Sequence, residues 1–269
     1  MTDPDELLQR HLADLRSAHY SASTLRERAH AVRALPHPTD LDRETLQAWW
    51  RERQTKLDGK PRARASLSSE QSHLREFWRW CRREGILNHN PADWLPRVRQ
   101  HHTKAVVIQE GDLYRVFTDA PDAIRRMIAL GGMAGLRSSE IAAVTWEDID
   151  RGNGVLWVRE GKGGKDRSVP LSSGLLAELG DPGTGPIVGR AMTGKAVSAQ
   201  VGRYMRARGV DLTAHKLRAR YITRFIMATG DAVAAAEVAG HAGVGTIMRY
   251  AVASNDTMRR GAEAAGRIG

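Results

Sequence analysis

At 269 residues with 41% hydrophobic content, the chain can bury the cores of two modest domains or one large one, which argues against a disordered chain. Forty-one Lys and Arg face 31 Asp and Glu, a formal balance of +10 that suits a polyanionic partner. The excess is uneven: six cations meet eight carboxylates in 1–50, twelve meet six in 51–100, and eleven meet five in 201–269.

The first hundred residues predict helices joined by polar turns. The N-terminus is acidic and has no apolar run of the signal-peptide kind. Leu8, Leu12, Leu15 and His19 fall at helical spacing over 4–19. Thr24-Leu-Arg-Glu27 has the pattern of a capping box, opening a second helix through Val32 and Leu35. Asp42 can cap a third, carrying Leu46 and Trp49, and 51–64 follow as a basic loop with Gly and Pro. From about Ser66 to Arg83 a fourth helix presents Leu67, Leu74, Phe77, Trp78 and Cys81 on one side. Cys81 is the sole cysteine and reads as a small core residue, so neither an intrachain disulfide nor a cysteine-based zinc site can form. Gly85 ends that helix, and Asn90-Pro91 begins a turn leading to Trp94.

Residues 97–105 have no apolar period and are expected to be a basic linker between domains 1–96 and 106–269. Helices are expected over 109–119 and 122–134, with a turn at Gly135-Leu136 and a further helix from Ser138 to Trp146. Val155–Val158 and Arg167–Leu171 are predicted strands of a hairpin around the glycine-rich turn 161–165. Helices resume near Lys195 and continue to the C-terminus. The fold class is therefore mainly α with a small β-hairpin or sheet in the second domain. No stretch approaches ~20 apolar residues, so no membrane span is expected, and the expected location is cytoplasmic.

Three motifs point to chemistry the chain does not support. Gly189 to Ala196 nearly matches a phosphate-cradling loop, but Ala196 lacks the hydroxyl that would hold Mg²⁺. Asn255-Asp-Thr257 matches a glycosylation sequon in a chain without a secretion signal. The ten histidines form no metal-ligand pair one helical turn apart with a carboxylate partner, so no metal is expected.

The groups that remain are cationic or able to move protons, and each has a plain structural reading when taken alone. Arg137, at a helix start, would be a surface ion-pair partner. Lys162 would be a solvated lysine at a hairpin tip. His215 and Arg218, three apart and flanked by Lys216, Arg220 and Arg224, would be one face of a basic helix. His241 after Gly240 would cap carbonyls, and Tyr250 would be a core or interface tyrosine.

Together these groups are far more specific. Gly135-Leu-Arg137-Ser-Ser-Glu140 resembles the first arginine box of the tyrosine recombinases, the phage-integrase-like enzymes. Gly161-Lys162-Gly-Gly-Lys165-Asp-Arg-Ser-Val-Pro-Leu171 resembles their β-hairpin lysine box, and His215-Lys-Leu-Arg218 their His-x-x-Arg box. Gly240-His241, with Tyr250 nine residues on, resembles the last histidine and the nucleophile, and all five appear in family order. More weakly, Phe77-Trp-Arg-Trp80 followed by Asn90-Pro91 is similar to the core-binding domain. Ala219 stands where many members have a second histidine, outside the catalytic set.

The resemblance implies a two-domain form without an arm-binding domain: a helical core-type DNA-binding domain, then a catalytic domain. It implies Arg137, Lys162, His215, Arg218, His241 and Tyr250 as catalytic residues, with Glu140 supporting them. Arg62, Arg64, Lys165, Lys216 and Arg220 are the expected DNA-facing cations. Double-stranded DNA with specific recombination sites is the implied partner, a homo-tetramer the implied working unit, and no cofactor is implied. A type IB topoisomerase-like enzyme and a catalytically silent DNA-binding protein are the alternatives.

Overall fold

The structure, a computed structural model, describes residues 3–98, 110–159 and 166–240. The chain divides into two compact units, Met1–His102 and Thr103–Gly269.

In the first unit four helices, α1 (Pro4–Ser17), α2 (Ala22–Arg33), α3 (Arg43–Arg53) and α4 (Arg64–Arg83), are followed by a 3-10 turn at Pro91–Trp94. Asp3, Ser21 and Asp42 each accept a backbone N–H at the start of α1, α2 and α3, meeting donors that a helix start leaves without partners. The second helix thus begins at Ala22 rather than at the Thr24 box. Ser21 is the cap, and Thr24, the residue whose N–H it receives, lies inside the helix. His19 is not on the buried face of α1: it follows the helix with φ 57°, and His11 takes the inward position with Leu7, Leu8, Leu12 and Leu15. His11 packs edge-on to Phe77, and burial pulls its pKa down to about 4, keeping it neutral in the core. The core is built on Leu46, Trp50, Leu74, Phe77 and Trp78. Two of its tryptophans donate their indole N–H groups: Trp78 to the Pro38 carbonyl (2.8 Å), and Trp80 to Asp14 Oδ2 (2.6 Å). Cys81 is fully enclosed, and burial pushes its thiol up to about 12, so it packs and does not react.

The second unit is organised around α6 (Asp122–Met133), whose Met127, Ile128, Ala129 and Leu130 are buried. α5 (Glu110–Thr118), α7 (Ser138–Ala143), α8 (Ser173–Leu179), α9 (Gly194–Arg206) and α10 (Ala214–Thr229) contribute to the same core through Leu113, Ile141, Leu175, Val201 and Leu217. Gly131 and Gly132 face Leu217, letting α6 and α10 approach closely. α7 is shorter than the sequence predicts: it ends at Ala143, and a separate 3-10 turn covers Trp146–Asp148. α8 is not among the predicted helices; it has two turns and is capped by the Ser172 hydroxyl.

The sheet is antiparallel with order β1 (Ile149–Asp150), β2 (Val155–Val158), β3 (Arg167–Pro170), one short strand more than the predicted hairpin. Leu156 pairs with Val169 and Val158 with Arg167. Leu156, Val158 and Val169 point into the core and Trp157 points out, the alternation that a half-buried strand requires. The stretch resembling a phosphate loop does another job. Thr193 caps α9, and a Cβ on Gly194 would sit 2.7 Å from Ser139 Cα, so this glycine lets α9 pack on α7. α11 (Ala232–Ala239) completes the described fold and ends at Gly240 in the left-handed conformation, φ 61°. Among the described residues no helix is long and apolar enough to cross a membrane, and no three His, Cys, Asp or Glu side chains cluster as a metal site would.

Candidate active site

The site begins at the turn between α6 and α7. Gly135 adopts φ 68°, and a Cβ there would lie 2.4 Å from Tyr221 Cδ1, so both backbone and space require glycine. The turn brings Arg137 to the N-cap of α7. Glu140, in the first turn of α7, reaches back to accept the Arg137 backbone N–H (2.8 Å) and its Nη1 (2.7 Å).

Glu140 is the hub. Its side chain is 4% exposed, and Arg167 on β3 grips it with two parallel bonds, Nη1 to Oε1 (2.9 Å) and Nη2 to Oε2 (2.8 Å). Arg218 on α10, also 4% exposed, lies 3.8 Å from Oε2. Burial alone would raise the Glu140 pKa. The Arg167 hydrogen bond, the Arg137 N–H and the attraction of the guanidinium groups outweigh it and hold the carboxyl at about 2. Three guanidinium groups thus meet one carboxylate, a local excess of positive charge that favours an anion.

The same arginines take the last carbonyls of α11 in order. Arg167 Nε donates to Val238 O (2.8 Å), Arg218 Nη2 to Ala239 O, and Arg137 Nη2 to Gly240 O (2.6 Å). Arg218 Nη1 also donates to Gly135 O, tying α10 to the turn before Arg137. Arg137 keeps 21% of its side chain exposed, so one guanidinium of the set remains reachable from solvent.

The structure brings Arg137, Glu140 and Arg218 together from the predicted site. His215 is exposed in the first turn of α10, three residues before Arg218. Lys162, Lys165, His241 and Tyr250 lie outside the described residues.

Two of the expected DNA-facing cations have carboxylate partners within the protein. Arg62 pairs with the buried Glu70 (2.7 Å) and donates to the Arg53 carbonyl, so its charge serves the first unit. Arg220 pairs with Glu110 (2.5 Å) and donates to Gly132 O, fastening α5 and α6 to α10. Lys216 is held by Asp211 (2.7 Å), whereas Arg64 stands exposed at the start of α4.

Arg167 is the functional-site residue that the sequence pattern missed. A signal existed: Arg167 shares the inward face of β3 with Val169, and an arginine on a buried face needs a carboxylate there.

Residues 110–181 match the model of the phage integrase family. A lambda integrase dimer bound to a COC' core site superposes with a TM-score of 0.73 at 19% identity, covering 91% of this chain and 94% of that one. The fold is thus that of a lambda-type integrase, and the arginine cluster lies within it.

Tyrosine recombinase XerC of Yersinia pestis is 33% identical over 207 residues, 69% of this chain and 68% of the relative. Tyrosine recombinase XerC 2 of Ralstonia nicotianae is 27% identical across 94% of this chain and 83% of its own length. The chain belongs to the tyrosine recombinase family and is a site-specific DNA recombinase.

Proposed function

We propose that the chain exchanges strands of duplex DNA at defined sites by attack of the Tyr250 phenol oxygen on a backbone phosphorus. The bond to the 5′-oxygen breaks, and a 3′-phosphotyrosyl ester forms. The observation that carries this reading is the convergence of Arg137 and Arg218, from two different helices, on one buried carboxylate. Guanidinium groups fixed in this way stabilise the charge that builds on the two non-bridging oxygens as phosphorus becomes five-coordinate, and they need little reorganisation to do so. His241 adds a hydrogen bond to those oxygens.

A tyrosine with its ordinary pKa of ~10 must lose its proton during attack. His215 accepts it, and Lys162 delivers a proton to the departing 5′-oxygen. One ester replaces another, so the phosphotyrosyl bond keeps the energy for rejoining and no nucleoside triphosphate is consumed. Exchange between two duplexes cuts four strands, so the working assembly is a homo-tetramer on DNA, in the cytoplasm where that DNA lies. Arg64 and Lys165 add phosphate contacts outside the reacting centre.

Covalent capture tests the reading. A nicked suicide duplex is expected to trap a denaturant-resistant protein–DNA adduct, and Tyr250→Phe to abolish it while leaving DNA affinity within a few-fold. An adduct that survives the substitution moves the nucleophile elsewhere. Relaxation of supercoiled DNA without strand exchange would identify a topoisomerase-like enzyme, and binding without any adduct a silent binding protein.

A further inference from the structure

We propose that Arg167 is a positioning residue for cleavage: it fixes the end of α11, and with it the point from which the chain departs toward His241 and Tyr250. The inference rests on the function proposed above and adds to it a role for an arginine that lies inside the lysine box but outside the expected catalytic set.

The geometry singles out Arg167 among the three arginines. Its two Nη groups are both committed to Glu140, and its Nε is committed to Val238 O, so one side chain ties β3, α7 and α11 together. All three of its guanidinium nitrogens bond within the protein, and its side chain is 9% exposed. Gly240 confirms how closely the guanidinium lies across the helix end, because a Cβ there would come within 2.9 Å of Arg167 Nη1.

α11 needs such a tie. It has eight residues, and its buried side chains are Ala235, Ala236 and Ala239, packed with Ile222. Alanine methyls remove little apolar surface from water, so packing alone holds this helix weakly. The charge-assisted bonds at its C-terminus also meet the negative end of the helix dipole. His241 follows Gly240 directly, so a shift of the α11 end is carried into the segment leading to Tyr250. Attack on phosphorus tolerates little displacement: about 1 Å of misplacement can cost on the order of 10² in rate. The lysine hairpin is affected far less, because the backbone of Arg167 stays paired with Val158 whatever its side chain.

The test is single-turnover cleavage by the full chain carrying Arg167→Gln, on saturating suicide DNA. The duplex is made with an ordinary 5′-oxygen or with sulfur at that bridging position, which leaves without a proton. Cleavage is expected to slow about tenfold or more, equally on both strands, with DNA affinity within about threefold and faster amide exchange across 232–240. Arg167→Lys, which keeps the charge but not the three-point grip, is read by the same criteria if the glutamine variant does not fold. A rate within twofold of the parent overturns the proposal, as does a deficit confined to DNA affinity. Recovery on the sulfur strand overturns it too, because Arg167 would then serve Lys162. Tyr250→Phe is run alongside. An adduct from that variant removes the proposed function itself, whereas a dead Tyr250→Phe beside a normal Arg167→Gln removes only this inference.

Discussion

Replacing Glu140 by glutamine keeps the shape of the hub and removes its charge. The glutamine retains one acceptor oxygen and turns an amide donor toward Arg167, which is already a donor. The Glu140 carboxyl is held at about 2 against an ordinary 4.5, so its ionised form stabilises the folded chain by about 3 kcal/mol near neutral pH. Breaking a buried ion pair from one side costs about 3–5 kcal/mol, the same scale. The folded pKa is depressed, so the stabilisation is complete above about 4.5 and is lost as pH falls from there through about 2. Glu140→Gln is therefore expected to lower stability by about 3 kcal/mol at pH 7, and the gap to narrow by more than half by pH 3. Urea unfolding followed by tryptophan fluorescence measures it, fitted with two transitions because the chain has two units. Trp146 and Trp157 report on the second unit, and only its transition should move. A gap below about 1 kcal/mol at pH 7, or one of equal size at pH 7 and pH 3, refutes the electrostatic account of the hub.

Arg62→Ala is expected to destabilise the first unit by about 1–3 kcal/mol, because it strips a partner from the buried Glu70. Arg64→Ala should instead leave stability within about 0.5 kcal/mol and lower the salt slope of DNA binding by about one; salt titrations that reverse the two would restore Arg62 as a DNA contact. Gly135→Ala meets both a left-handed backbone and the Tyr221 ring, so a loss of about 2 kcal/mol is expected, and a melting temperature within 2 °C of the parent would contradict it. Lys162→Ala should cleave ordinary DNA slowly and recover on the sulfur-substituted strand; recovery by Lys165→Ala instead would make Lys165 the general acid.

Local signals in the sequence were read well, and pairings between distant residues were not. Asp42 as a cap, Gly85 as a stop and the alternation in Val155–Val158 depend on neighbours within a few positions, and the structure has them where the pattern puts them. The Thr24 box failed because Ser21 is as good a cap and stands three residues earlier. α8 escaped notice because seven residues beginning Ser173-Gly174 carry too little apolar period to stand out. Arg137, Glu140 and Arg218 were legible through their boxes, since Glu140 lies three residues from Arg137 and the boxes keep their order. The ion pairs of Arg62 and Arg167 escape the sequence for one reason: the partner carboxylate, Glu70 in one case and Glu140 in the other, becomes visible only when distant elements are brought together.

The order in which the ribosome delivers these residues gives the three-carbonyl cap another consequence. Arg137, Arg167 and Arg218 emerge before their acceptors at Val238, Ala239 and Gly240, and Tyr250 emerges later still. A nascent chain stopped short of Val238 carries the three arginines without the helix end that their side chains hold, and without Tyr250, the proposed nucleophile. On the function proposed above, such an unfinished chain is expected to attract DNA without being able to break it. Under the proposed mechanism, the capacity to cut DNA thus waits on residues made after the cationic cluster, a safeguard that follows from chain direction.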